Sequence, residues 1–154
     1  MSVEITVFEE KYAGAFAALN KAWIEKYFEI EEEDTKALSN PHSYAVANGG
    51  EIFFALLGGE PVGTVAMIRK SEQEYELAKM AVDEGSQGQG CAALLMQRCI
   101  EFASAEGAQR ITLTTNSILT PALNLYRKYG FVAQEVNRDT RYSRGNLQMV
   151  LELG

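Results

Sequence analysis

Val3, Ile5 and Val7 alternate with Ser2, Glu4 and Thr6, the two-residue period of a strand with one buried face, so Ser2 to Phe8 is predicted to open a sheet. From Glu9 to Phe28 the period changes. Phe16, Leu19, Trp23 and Tyr27 recur at helical spacing, with Glu25 and Lys26 on the opposite side, which predicts a first helix packed on that sheet. Asp34 is placed to cap a short helix over Thr35 to Ser39, which must stop before Asn40-Pro41 because proline disfavours helix in the residue before it. After a loop, Glu51 to Leu57 and Val62 to Arg69 read as two strands joined by a tight turn at Gly58-Gly59-Glu60. The polar turn at Ser71 to Glu74 then feeds a third antiparallel strand, Glu74 to Val82.

Beyond it, Cys91, Ala92, Leu95, Met96, Cys99, Phe102 and Ala103 recur every three or four positions as the face of a long helix, with Gly107 at its C-terminal stop. Arg110 to Thr115 is a strand again, and strand, helix, strand implies a parallel crossover. Pro121 to Tyr129 is a short helix between a Thr120 cap and Gly130, and Phe131 to Asn137 and Leu147 to Leu153 are predicted to close the sheet. The order β-α-α-β-β-β-α-β-α-β-β contains no repeat or linker and defines one mixed-sheet α/β domain over residues 1–154.

Composition narrows the function classes. The chain has 154 residues, enough for one core, and 47% of them are hydrophobic without any run long enough to span a bilayer. Met1-Ser2-Val3-Glu4 lacks the basic start and apolar core of a signal peptide, which predicts a cytoplasmic location. A net charge of −7, with an acidic run from Glu29 to Asp34, argues against nucleic acid as a partner. Cys91 and Cys99 lie about 12 Å apart along one helix and cannot bridge each other; both are predicted to be small buried hydrophobes. With one histidine, His42, and no C-x-x-C or H-x-x-H spacing, a metal-free mechanism is expected.

Between the third antiparallel strand and the long helix stands Gln87-Gly88-Gln89-Gly90-Cys91-Ala92. Its glycines let backbone amides turn inward, and the following helix offers unpaired first-turn donors, so the loop is suited to a phosphate or pyrophosphate. Gly85 to Gly90 has P-loop spacing, but Cys91-Ala92 stands where Lys-Ser/Thr would be required. Gly88-x-Gly90-x-x-Ala93 matches a dinucleotide fingerprint, yet Asp83 to Ser86 separate the strand from the glycines and the next strand ends in Thr115-Asn116 rather than an acid. A plain loop capping a core helix is the remaining reading.

Gln87-x-x-Gly90-x-Ala92 resembles the Gln/Arg-x-x-Gly-x-Gly/Ala pattern of the GNAT family of acetyl-CoA-dependent N-acetyltransferases. A second segment, Asn116 to Phe131, is similar to the family's stretch ending in Leu-Tyr-x-x-x-Gly-Phe, here Leu125-Tyr126 to Gly130-Phe131. The match spans roughly Glu51 to Phe131. The resemblance implies a splayed central sheet and acetyl-CoA as cosubstrate. Backbone groups of Met80, Ala81 and Val82 would pair with the pantetheine arm, and amides of Gln87, Gly88, Gln89, Gly90, Cys91 and Ala92 would hold the pyrophosphate. A bulge in the same strand would aim amides at the thioester oxygen. Tyr126 would donate a proton to the departing thiolate, and Glu76 stands where some members place a general base; otherwise Glu76 and Glu74 are solvent-facing strand residues. The family's asparagine position, seven residues before the tyrosine, is held by Leu119, so a pantetheine contact falls to Asn116, three residues further away.

The activity implied is direct acetyl transfer to a primary amine on a small molecule or peptide, in a ternary complex. A non-catalytic acyl-CoA sensor of the same fold is the alternative, and a hydride-transferring dinucleotide enzyme is a third reading. The cluster Trp23, Tyr27 and Phe28 is either core or, if partly exposed, the wall of an acceptor pocket. The acceptor's identity and the oligomeric state, a homodimer included, stay open.

Overall fold

The computed structural model describes residues 2–134 and 147–154. Seven strands form one sheet in the order β1-β2-β3-β4-β5-β7-β6, where β1 is Val3–Val7, β2 Glu51–Leu57, β3 Glu60–Arg69, β4 Glu74–Val82, β5 Arg110–Thr115, β6 Val132–Gln134 and β7 Leu147–Glu152. Every neighbouring pair is antiparallel except β4 and β5. That parallel pair needs a crossover, supplied by the long helix α4, Cys91–Ala105. The other helices are α1 (Ala13–Tyr27), α2 (Glu32–Ser39), α3 (Pro41–Tyr44) and α5 (Thr120–Lys128).

Two apolar clusters sandwich the sheet, and β2 shows why its sequence is a continuous apolar run. Phe53 and Ala55 join Leu95, Met96 and Cys99 of α4 in one cluster, while Ile52, Phe54 and Leu56 join Phe16 of α1 and Leu38 of α2 in the other. With both faces covered, alternation disappears; β1 at the sheet edge keeps it in sequence, although Val7, expected on the buried face, is 42% exposed. Gly50 enters β2 where no side chain fits: a Cβ there would lie 2.1 Å from the Met67 carbonyl oxygen.

Several expectations need correction. A 3₁₀ turn at Glu10–Tyr12 precedes α1, which begins at Ala13. Its buried face is Phe16, Asn20 and Ile24, rotated from the predicted Phe16-Leu19-Trp23-Tyr27 stripe. A buried asparagine explains the rotation: Asn20 Nδ2 donates to the Phe16 carbonyl at 3.0 Å, satisfying a polar group that a count of apolar spacing assigns to solvent. Asp34 is not the cap of α2. Glu31 is, and Asp34 sits three residues inside, its Oδ2 accepting the Glu31 N–H at 2.9 Å in a capping box. Leu119, not Thr120, occupies the cap position of α5. The strand predicted over Phe131 to Asn137 is seen as Val132–Gln134, and 135–137 lie outside the described residues.

Strands β4 and β5 pair only from Glu74 opposite Arg110 to Glu76 opposite Thr112. Past Glu76 the two strands have no further register, so the sheet splays, as the resemblance implied. The other edge of β4 is irregular too. Thr64 of β3 faces Ala81 and Ala66 faces Ala78, so Val65 stands opposite two residues, Lys79 and Met80. This is a β-bulge, and Lys79 has φ +55°, alone among the described non-glycine residues in the left-handed region.

Candidate active site

Two cavities open where β4 and β5 part. The larger, about 1040 Å³, is a groove between α1, the end of β4, the glycine loop and α5. The smaller, about 100 Å³, lies deeper in the splay and is walled by α1, β4 and β5. They share four lining residues: Trp23, Met80, Leu119 and Tyr126. The junction therefore falls at the β4 bulge, opposite the one tyrosine of α5 that lines both.

The groove collects most of the residues expected to hold a cosubstrate. Met80, Ala81, Val82, Gln87, Gly88, Gly90, Cys91, Ala92 and Tyr126 line it, whereas Gln89 is absent from its lining. Gly88 and Gly90 have φ of +88° and +82°, and a Cβ built on either would meet nothing within 4 Å. Their backbone thus takes a shape that L side chains resist, over open space, at the start of α4 with Gly90 as its cap. Unpaired first-turn amides and the positive end of a 15-residue helix face a roomy groove, a donor set that fits a pyrophosphate. Lys26 of α1 pairs with Glu84, and both line this groove.

The smaller cavity collects the candidate chemistry. Glu76 lines it and is only 6% exposed, so it is not a solvent-facing strand residue; Lys70 Nζ stands 3.7 Å from its Oε1. Glu74, by contrast, pairs with Arg110 at 3.7 Å and does not line the cavity. Tyr126 is 9% exposed, and burial pushes its phenol up to about 12. Asn116 also lines the smaller cavity rather than the groove, its Oδ1 accepting the Ile118 N–H at 3.0 Å. Cys91 is 2% exposed and burial raises its thiol above the ordinary value.

Trp23 and Phe28 resolve the question of the aromatic cluster. Both are half-buried, their ring centroids 6.2 Å apart, and both line the smaller cavity, while Tyr27 is 47% exposed at the groove. The cluster is a wall. His42 of α3 lies beside Phe8, ring centroids 6.3 Å apart, and lines neither cavity.

Sequence reasoning missed two groups. Asn20 reaches the smaller cavity from α1. Lys79, also in its lining, places Nζ 2.7 Å from Asp34 Oδ1, with side chains 6% and 0% exposed. A lysine in a strand predicts neither a left-handed backbone nor a buried partner 45 residues away.

A splayed mixed sheet with a glycine loop leading into α4 frames both cavities. The model of the acetyltransferase (GNAT) family matches residues 16–131, and the chain belongs to that family. N-acetylaspartate synthetase of Danio rerio is 35% identical over 89 residues, 57% of this chain and 32% of that protein. The uncharacterized N-acetyltransferase YvbK of Bacillus subtilis (strain 168) is 32% identical over 90 residues, 58% of each chain. The chain thus spans about a third to three-fifths of the length of these curated relatives. Among solved structures, yncA from Salmonella typhimurium with its cofactor acetyl-CoA has the same fold, with a TM-score of 0.80 over 100% of this chain and 95% of that one at 14% identity. No helix among the described residues is long and apolar enough to cross a membrane.

Proposed function

We propose that the protein transfers the acetyl group of acetyl-CoA to a primary amine by direct attack in a ternary complex. One observation carries this reading: a long groove ending at a helix N-terminus and a small cavity holding a buried carboxylate meet at Met80 and Tyr126. A donor in the groove and an acceptor in the cavity would face each other there with no need for a carrier residue.

The residues divide the work. Amides of Gln87 to Ala92 would bind the pyrophosphate, and the free edge of β4 at Met80 to Val82 would pair with the pantetheine arm as with another strand. An alkylamine has a pKa near 10 and must lose a proton before it attacks; the Glu76 carboxylate would accept it, directly or through water. Main-chain amides at the bulge would stabilise the thioester oxygen as negative charge develops on it. Burial pushes the Tyr126 phenol up to about 12, so it is protonated near neutral pH and able to donate to the departing sulfur.

The apolar and aromatic walls, Trp23, Ile24, Phe28 and Tyr44, suit an amine with an apolar body. A covalent acetyl-enzyme on Cys91 is disfavoured, because its thiol is raised by burial and the chain's single histidine lines neither cavity. A buried carboxylate and a phenol in one small cavity are equipment that a mere acyl-CoA sensor has no use for. Thiol release from acetyl-CoA with a panel of small amines, amino acids, polyamines and peptides tests the proposal. Acceptor-dependent release supports it, and CoA binding without release by any amine points to the sensor.

A further inference from the structure

Lys79 stands at the first position of a bulge in the left-handed conformation, a place that glycine fills without strain. An L residue there costs about 1–2 kcal/mol. The same residue then buries its ammonium against Asp34, with side chains 6% and 0% exposed. A buried ion pair seldom adds net stability, because desolvating both ions offsets their attraction, and an apolar pair of similar volume does as well or better. Two costs thus coincide at one residue, and stability accounts for neither.

Position accounts for both. Asp34 Oδ1 accepts from Lys79 Nζ at 2.7 Å, and Oδ2 accepts the Glu31 N–H at 2.9 Å, so both oxygens of the carboxylate are engaged. The chain of contacts runs from the start of α2 through Asp34 and Lys79 into the β4 backbone. Met80, the second bulge residue, lines both the groove and the small cavity. Backbone amides stabilise a developing oxyanion only if they are held in place before the charge appears.

We propose that Asp34 and Lys79 are positioning residues: their ion pair clamps the β4 bulge to α2 and holds the bulge amides where the thioester oxygen becomes an oxyanion. This rests on the acetyl-transfer reading above. The clamp acts through the backbone of residues 79 and 80, so it bears on turnover far more than on acetyl-CoA affinity; because Lys79 also lines the acceptor's cavity, kcat is read at saturating amine.

The test compares two double variants, Asp34→Asn/Lys79→Met and Asp34→Asn/Lys79→Gly. Both remove the buried charges while asparagine keeps an oxygen for the Glu31 N–H. Methionine leaves a side chain in a strained, unclamped backbone; glycine adopts the left-handed conformation without strain. Loss of one oxyanion donor costs 10²–10³ in kcat, so partial misplacement in the methionine variant should lower kcat on the order of 10 to 10². Acetyl-CoA affinity by calorimetry should change far less than kcat, and the glycine variant should recover part of the lost kcat. Parent-like kcat in the folded methionine variant overturns the clamp, and so does a glycine variant no better than the methionine one. If these doubles fail to fold, Asp34→Asn/Lys79→Gln serves, since it replaces the ion pair with a hydrogen bond between neutral amides and leaves no uncompensated buried charge. A lower kcat with a far smaller change in acetyl-CoA affinity supports the clamp, and an unchanged kcat overturns it. Failure of the parent protein itself to release thiol with any amine would instead defeat the acetyl-transfer reading.

Discussion

Replacing Glu76 by glutamine keeps the size of the side chain and removes its ability to accept a proton. The structural cost should be small. Lys70, one partner, at 3.7 Å, has a 45% exposed side chain and can return to water, so losing that ion pair costs at most about 1 kcal/mol. The catalytic cost follows from the acceptor. An amine of pKa near 10 is neutral in about one molecule per thousand at pH 7, and a positioned base contributes about 10²–10⁴. Without the base the enzyme can use only that neutral fraction, so turnover at pH 7 should fall by about 10²–10³. The deficit should shrink about tenfold per pH unit toward the amine's own pKa, because the free amine then supplies itself. Stopped-time thiol release from pH 6 to 9, with acetyl-CoA saturating, gives the profile. A Glu76→Gln curve that overlays the parent across this range would refute the assignment and leave Glu76 a structural partner of Lys70.

Three further outcomes follow from the geometry. Gly90→Val should weaken CoA binding much more than folding: the φ of +82° costs a β-branched residue about 1–2 kcal/mol, while its branches project over the open cradle, and calorimetric titration with CoA separates the two effects. Tyr126→Phe should lower kcat with acetyl-CoA affinity nearly unchanged. It should also flatten the alkaline loss of stability: a phenol raised from 10 to about 12 stabilises the fold fully below pH 10, and about 3 kcal/mol is lost as pH rises through 12, measurable by urea unfolding. Part of the limb should survive in that variant, since burial also raises the Cys99 thiol. Gly50→Ala should destabilise or prevent folding, because a Cβ 2.1 Å from the Met67 carbonyl and 2.8 Å from that of Ala45 forces β2 away from β3; thermal unfolding at parent-like temperature would contradict this.

The sequence was most informative where one physical signal dominates. The bounds of β2, β4 and β5 follow from β-branched, aromatic and aliphatic residues between turn residues, and the groove follows from glycines set between a strand and an amphipathic helix. It misled where a polar residue is buried or an aromatic one serves a cavity: Asn20 and Trp23 exchange the roles that periodicity gives them, and α1 turns accordingly. The Asp34–Lys79 pair was out of reach, since nothing local marks a lysine for a left-handed backbone or links it to a carboxylate on another element. Asp34 read as a cap because its side chain does bond the first turn of α2; only its second oxygen reveals the other partner.

The central claim is that donor and acceptor meet directly at the β4 bulge. Once an accepting amine is in hand, initial rates measured over a grid of acetyl-CoA and amine concentrations test this most directly. Direct attack in a ternary complex predicts double-reciprocal lines that intersect, with no acetylated protein in the intact mass spectrum after incubation with acetyl-CoA alone. Parallel lines together with an acetyl group on Cys91 would contradict it, and would mean that the two cavities are visited in turn through a covalent intermediate.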